Sequence, residues 1–176
     1  MLLDADLSVL VLSDLQQRLL PAIDGGDAVV AQCVRLARIA TLLGVPVLGT
    51  EQTPEKLGGN DPILKTLCDR TVEKQYFDAC GDGLIEVLPA ARRSIVIGGC
   101  EAHVCVLQTA LSLIERGCRV SIVSEAVGSR RSADRDAALA RLRQAGAQIV
   151  TVEMVAFEWM GHSGHPRFRD VLKLIK

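Results

Sequence analysis

Short apolar runs alternate along this chain with stretches whose apolar residues recur at helical spacing. Ser8 to Ser13 (SVLVLS) reads as a buried strand. From about Asp27 to Leu43, Val30, Val34, Ala37 and Leu42 approximate one face of a helix that Gly44 ends. Pro46 to Thr50 (PVLGT) is the next strand. The Gln52 to Asp61 segment, with Pro54, Gly58, Gly59 and Asn60, has the composition of an exposed loop of the kind that borders sites. Asp61 is placed to cap a short helix with Pro62 at its first position, and a strand follows over Arg70 to Lys74. Gly81 and Gly83 break the chain before another short helix. Then come a strand at Ser94 to Gly98, a helix over Val104 to Arg116 and a strand at Arg119 to Ser124. Ser132 to Gln144 reads as a charged amphipathic helix, Gln148 to Val152 as the sixth strand and Pro166 to Ile175 as a last helix, preceded by a loop over Gly161 to Gly164.

Strands separated by helical stretches imply right-handed β-α-β crossovers and one parallel sheet covered on both faces, an α/β fold in a single domain over 1–176. Ligands of such sheets sit outside the carboxyl ends of the strands. The residues to weigh are therefore Asp14, Glu51, Lys74, Gly99 to Cys105 and Ser124 to Arg131.

Composition narrows the partner. With 49% hydrophobic and 23% charged residues, 176 residues can build a substantial core. A formal net charge of −1 offers no broad cationic surface, so nucleic acid or an anionic membrane is not expected as partner, and a small molecule is. The basic stretch Arg130, Arg131, Arg135, Arg141 and Arg143 is interleaved with Asp134 and Asp136 and reads as a solvated face. No apolar run reaches the roughly 18 residues a membrane span needs, and Met1 leads through Asp4 and Asp6 rather than a basic leader, so a cytoplasmic location is expected. The six cysteines form no C-x-x-C, and His103, His162 and His165 are not spaced as their partners; reduced thiols and no structural zinc follow. Leu111 stands where a cysteine phosphatase would need arginine six positions after Cys105. The serine-hydrolase, Walker and dinucleotide glycine motifs are absent.

Cys105 is the most informative residue. It follows an apolar strand and the bend Gly98-Gly99-Cys100-Glu101-Ala102, so it falls in the first turn of the next helix, where backbone N–H groups and the helix dipole favour thiolate and could hold an oxyanion. A thiol nucleophile also needs a proton carrier and a cation. Asp14, ending the first strand, and Lys74, ending the third, can supply them if the three ends converge. Each also has a plain alternative: Asp14 as a turn cap, Lys74 as a solvated lysine, Cys105 as a small buried hydrophobe. His103, two positions before Cys105, points elsewhere on a helix and reads as a surface or interface residue, and Cys100 as a small buried side chain.

VLSDLQ, EKQYF and the segment IVIGGCEAHVCVLQTALSLIERGCRVSIVSEAVGSR resemble the isochorismatase-like cysteine hydrolases over nearly the whole chain. TEQTPEKLG, SRRSADRDAALARLRQAGA and HPRFRDVLKLIK are similar to the subgroup called isochorismatase domain-containing proteins. The resemblance implies a Rossmann-like fold with a six-stranded, mainly parallel sheet and a catalytic triad of Asp14, Lys74 and Cys105. It also implies a cis peptide at the bend before the cysteine, here joining Glu101 to Ala102 and aiming N–H groups at an oxyanion. Gln16, Tyr76 and Phe77 would lie beside the triad, with Gln16 bonding a substrate amide and Phe77 walling the pocket. Nicotinamidase relatives carry an Asp-x-His metal motif where this chain has Thr50-Glu51-Gln52-Thr53, so no metal and no other cofactor is expected. True isochorismatases cleave a vinyl ether without this cysteine. Cys105 therefore directs the expectation to a C–N bond of a small amide-like substrate, and the family analogy adds a homo-oligomer. The alternative is a catalytically inactive scaffold or small-ligand-binding protein.

Overall fold

A computed structural model describes residues 1–176. Six strands, β1 (Ser8–Ser13), β2 (Val47–Gln52), β3 (Arg70–Lys74), β4 (Ser94–Cys100), β5 (Arg119–Gly128) and β6 (Gln148–Val150), pair in parallel in the order β3-β2-β1-β4-β5-β6. The helices are α1 (Gly26–Leu42), α2 (Pro54–Leu57), α3 (Pro62–Leu67), α4 (Leu84–Val87), α5 (Leu107–Glu115), α6 (Ser132–Gln144), α7 (Val152–Met160) and α8 (Phe168–Ile175).

Every residue of β1 is buried, which requires cover on both faces and explains its unbroken apolar run. Leu10 and Leu12 face one core, shared with Leu36 and Ile39 of α1, Val155 and Trp159 of α7 and Val171 of α8. Val9 and Val11 face the other, with Leu107 and Leu113 of α5 and Leu142 of α6. The result is the three-layer α/β arrangement expected from the alternating pattern. Trp159 brings a polar atom into its core and satisfies it, its indole N–H donating to Ser8 Oγ at 3.0 Å.

Strand order reverses at β1, whose neighbours are β2 on one side and β4 on the other, so the carboxyl ends of these strands border a natural crevice. The close approach of β4 to β1 there demands glycine. Gly99 has φ +120°, and a Cβ on it would lie 2.0 Å from the Ser13 carbonyl oxygen.

Several strands run further than their apolar stretches indicate. β2 continues to Gln52, β4 to Cys100 and β5 to Gly128, because the ladder persists through polar and small residues near the crevice. The sixth strand stops earlier, at Val150 rather than Val152. Thr151 caps a helix not anticipated from the sequence, accepting the Met154 N–H at 3.2 Å on its hydroxyl. The helix over Val104 to Arg116 is also divided: a π-helical turn over Ala102–Val106 precedes α5.

Candidate active site

The end of β1 delivers Asp14 in a left-handed backbone conformation (φ 49°), its side chain wholly buried. The Thr50 hydroxyl donates to Asp14 Oδ1 at 2.6 Å and the Lys74 ammonium to Oδ2 at 2.8 Å. Lys74 reaches this point because β3 pairs with β2 in a register that sets Lys74 beside Gln52. Its Nζ also donates to Gln52 Oε1 at 2.6 Å and to the Tyr76 carbonyl at 3.4 Å, and none of its side chain is exposed. An isolated ammonium could not be held there charged; the carboxylate and two carbonyl oxygens offset its lost hydration.

Cys105, in the π-helical turn after β4, closes the group. Its Sγ lies 3.9 Å from the same Gln52 Oε1, and the residue is 6% exposed. Burial, and then the negative charge of Asp14, push its thiol up to about 12, against the pull of Lys74. The lowered thiol pKa expected from a helix terminus and a nearby cation is therefore not what this site holds: desolvation dominates, and the resting sulfur is protonated. The Glu101 carbonyl accepts the Val104 and Val106 N–H groups at 3.1 and 3.2 Å and passes over the Cys105 N–H between them.

The isochorismatase domain model matches residues 8–154. This chain belongs to the isochorismatase family. Isochorismatase domain-containing protein 2A of Mus musculus is 36% identical over 178 residues, covering 96% of this chain and 82% of the relative. A structure named MAR1 ribonuclease from Caenorhabditis elegans superposes with a TM-score of 0.94 at 35% identity, covering 99% and 92% of the two chains. The YcaC gene product of Escherichia coli, described as an octameric hydrolase of unknown specificity, gives 0.86 at 25% identity, covering 98% and 95%. The chain thus has the fold of an isochorismatase-family hydrolase.

Against that family background, several expectations change. The cis peptide bond joins Cys100 to Glu101, one residue before the Glu101–Ala102 bond expected. The reason is the length of β4: Cys100 still pairs with Gly128 of β5, so the chain leaves the sheet at the next peptide. Ala102 is fully buried, and Glu101 binds the Arg130 guanidinium, Nε to Oε1 at 2.9 Å. Gln16 is not free for a substrate amide. Its Nε2 donates to the carbonyls of Gln52 at 3.0 Å and Gly58 at 2.6 Å, and its Oε1 accepts the Gln52 N–H at 2.8 Å. Gln16 fixes the backbone of Gln52 instead. Tyr76 and Phe77 are 66% and 51% exposed. The part of Tyr76 that meets the site is its carbonyl, and Asp82 holds the segment by accepting the Gln75 and Tyr76 N–H groups at 2.6 and 2.9 Å. His103 pairs with Ser129, Nδ1 to Oγ at 2.9 Å.

Gln52, the residue that joins ammonium to sulfur, was missed. The available signal was the pairing of β2 with β3, hidden because the apolar run of β2 ends before it. The six cysteines are all free, and no group of three or more His, Cys, Asp or Glu is arranged to hold a metal ion. No helix is long and apolar enough to cross a membrane.

Proposed function

We propose that this chain is a cofactor-independent cysteine hydrolase, a single domain over 1–176, that cleaves a C–N bond of a small amide-like molecule through a covalent intermediate on Cys105. The observation that carries the reading is the fully buried Lys74–Asp14 pair, tied through Gln52 Oε1 to the Cys105 sulfur. A buried ion pair is weak as a stabilising device, since apolar residues of similar volume do as well or better. An inert scaffold has no use for one at the strand ends beside a thiol.

In this mechanism Asp14 takes the thiol proton as Sγ attacks the carbonyl carbon, and backbone N–H groups around Ala102 and Cys105 receive the oxyanion. Collapse of the tetrahedral adduct breaks the C–N bond, Asp14 returns the proton to the departing amine, and a thioester remains. Water, deprotonated by Asp14, then releases the acid and restores the thiol. Lys74 supplies the positive charge throughout. The substrate is small and no cofactor is used. Six free thiols fit a cytoplasmic setting, and the octameric E. coli relative together with exposed Tyr76 and Phe77 supports a homo-oligomer.

The name of the nematode structure raises a ribonuclease reading. It would need cations free to hold a phosphodiester, and the ammonium at this thiol is already bound to Asp14 and Gln52 in a chain of net charge −1. The test is Cys105→Ala assayed on a panel of small amides, with mass spectrometry for an acyl adduct on the wild-type protein. Loss of turnover with an unchanged melting curve is the expected result. Hydrolysis that persists in Cys105→Ala removes the nucleophile assignment.

A further inference from the structure

At the end of the sheet opposite the thiol, the residues leading into β4 and β5 meet the C-terminus of α5 around a cleft of about 380 Å³. Its lining has two chemistries. Ile85, Leu88 and Pro89 are apolar, whereas Arg92, Arg93 and Arg116 are basic. None of the three has a carboxylate within ion-pair distance; the chain's salt bridges use Lys65, Lys74, Arg130, Arg135, Arg167 and Lys173. Glu86 and Glu115, the acids closest in sequence, are exposed and do not line the cleft.

Each guanidinium is anchored through Nη1 alone. Arg92 donates to the Ala5 and Ser8 carbonyls at 2.6 and 2.8 Å, Arg93 to the Arg116 carbonyl at 3.4 Å, and Arg116 to the Ser112 carbonyl at 3.2 Å and its hydroxyl at 2.5 Å. These anchors orient the groups and leave Nε–H and Nη2–H of all three without a protein acceptor. The C-terminus of α5 offsets only about half a charge. Arg93 and Arg116 are exposed at the cleft and no carboxylate of the chain pairs with them, so an anionic ligand entering there meets unpaired guanidinium groups.

The geometry points to a second binding site, for a small organic anion: an oxyanion head, phosphate or carboxylate, held by Arg93 and Arg116, with an apolar body against Ile85, Leu88 and Pro89. Planar guanidinium groups with paired donors suit such heads, and the cleft has the volume of a small-molecule site. This assignment is independent of the cysteine chemistry.

The test is calorimetric titration of the full chain at low salt with phenyl phosphate, benzoate, inorganic phosphate and benzyl alcohol. One equivalent of an aryl anion is expected to bind, and the tighter of phenyl phosphate and benzoate identifies the head group. Inorganic phosphate and benzyl alcohol, each lacking half of the chemistry, should bind at least about tenfold more weakly. Arg93→Gln and Arg116→Gln should each weaken binding about tenfold or more, and Cys105→Ala should leave it unchanged. In the unaltered protein, the bound aryl anion should protect Arg93 and Arg116 from phenylglyoxal, a readout that needs no variant to fold. Absence of saturable binding at millimolar aryl anion overturns the proposal. So does binding that survives the double Arg variant, is lost in Cys105→Ala, or is matched by inorganic phosphate alone.

Discussion

Replacing Lys74 with Met removes the positive charge of the site while filling most of its volume. Asp14 would then keep the Thr50 hydroxyl donor at 2.6 Å but no cation, and Gln52 Oε1 would lose its 2.6 Å partner. Both members of the pair have 0% exposed side chain, so water cannot replace the ammonium. Breaking such a pair from one side costs about 3–5 kcal/mol, because a buried charge is left uncompensated. For a domain of this length each kcal/mol moves the melting temperature by about 2–4 °C, giving a fall of about 6–20 °C. Lys173→Met is the control: Lys173 is 77% exposed and 3.4 Å from Asp170, so its loss should change stability by no more than about 0.5 kcal/mol. Asp14→Asn leaves the opposite charge stranded and should cost a similar amount to Lys74→Met. The double variant should be a few kcal/mol less damaged than the sum of the singles. Urea unfolding at pH 7, followed by circular dichroism, reads all of these. A Lys74→Met penalty no larger than that of Lys173→Met, or strict additivity in the double variant, would refute the claim that the pair is shut away from water.

Burial and Asp14 hold the Cys105 thiol at about 12, so iodoacetamide should label it more slowly at pH 7 than a free peptide thiol near 9.0, with a rate that climbs as pH rises past 9; faster labelling than the peptide at pH 7, read by mass spectrometry, would contradict this. Cys80, Cys100 and Cys105 are raised to about 12 and Cys68 to about 11, in each case chiefly by burial. A raised folded-state value stabilises the fold fully below the unfolded thiol value of 9.0, and that contribution is lost as pH rises through 11 to 12. Urea midpoints should therefore hold up to pH 9 and fall by pH 10.5, and a flat profile over that interval counts against buried neutral thiols. Gly99→Ala meets both the 2.0 Å approach to the Ser13 carbonyl and a φ of +120°, so it should cost more than about 4 kcal/mol and yield little soluble protein. Normal expression and melting of that variant would mean that β1 and β4 are less tightly joined.

Much of this architecture was legible in the sequence because burial on both faces leaves a simple trace. The β1 run and the exact span of β3, Arg70–Lys74, follow from local pattern, as does the Asp61 cap, whose Oδ1 accepts the Ile63 and Leu64 N–H groups. α7 was legible but passed over. Val152, Val155, Ala156 and Trp159 fall at helical spacing behind the Thr151 cap, yet Gln148 to Val152 also suits a strand, and the two readings compete for the same residues. The ends of β2, β4 and β5 were not legible. Gln52, Cys100 and Gly128 belong to strands through their partners rather than through their own hydrophobicity. At the site, the convergence of Asp14 and Lys74 could be anticipated from strand ends alone. The use of Gln16 could not, because its three bonds run to backbone atoms of Gln52, at the end of β2, and of Gly58, beyond α2, whose meeting is set by tertiary packing.

The acidity of Cys105 is where local reasoning and tertiary structure diverge most, and magnitudes explain why. A helix terminus contributes about 0.3–1 kcal/mol in favour of a nearby anion. Raising the thiol from 9.0 to about 12 corresponds to about 4 kcal/mol against it. Sequence reveals the dipole and the ammonium but not the depth of burial that outweighs them. The same arithmetic constrains the proposed mechanism. Resting thiol, carboxylate and ammonium carry no net charge together, and after the proton moves to Asp14 the set of thiolate, neutral acid and ammonium still carries none. Without Lys74 both states would leave one uncompensated negative charge in the same buried volume. The ammonium thus keeps the buried set neutral both before and after the negative charge passes from carboxylate to sulfur. In the proposed mechanism the buried Lys74 ammonium, held between Asp14 and Gln52 at 2.8 and 2.6 Å, has this use.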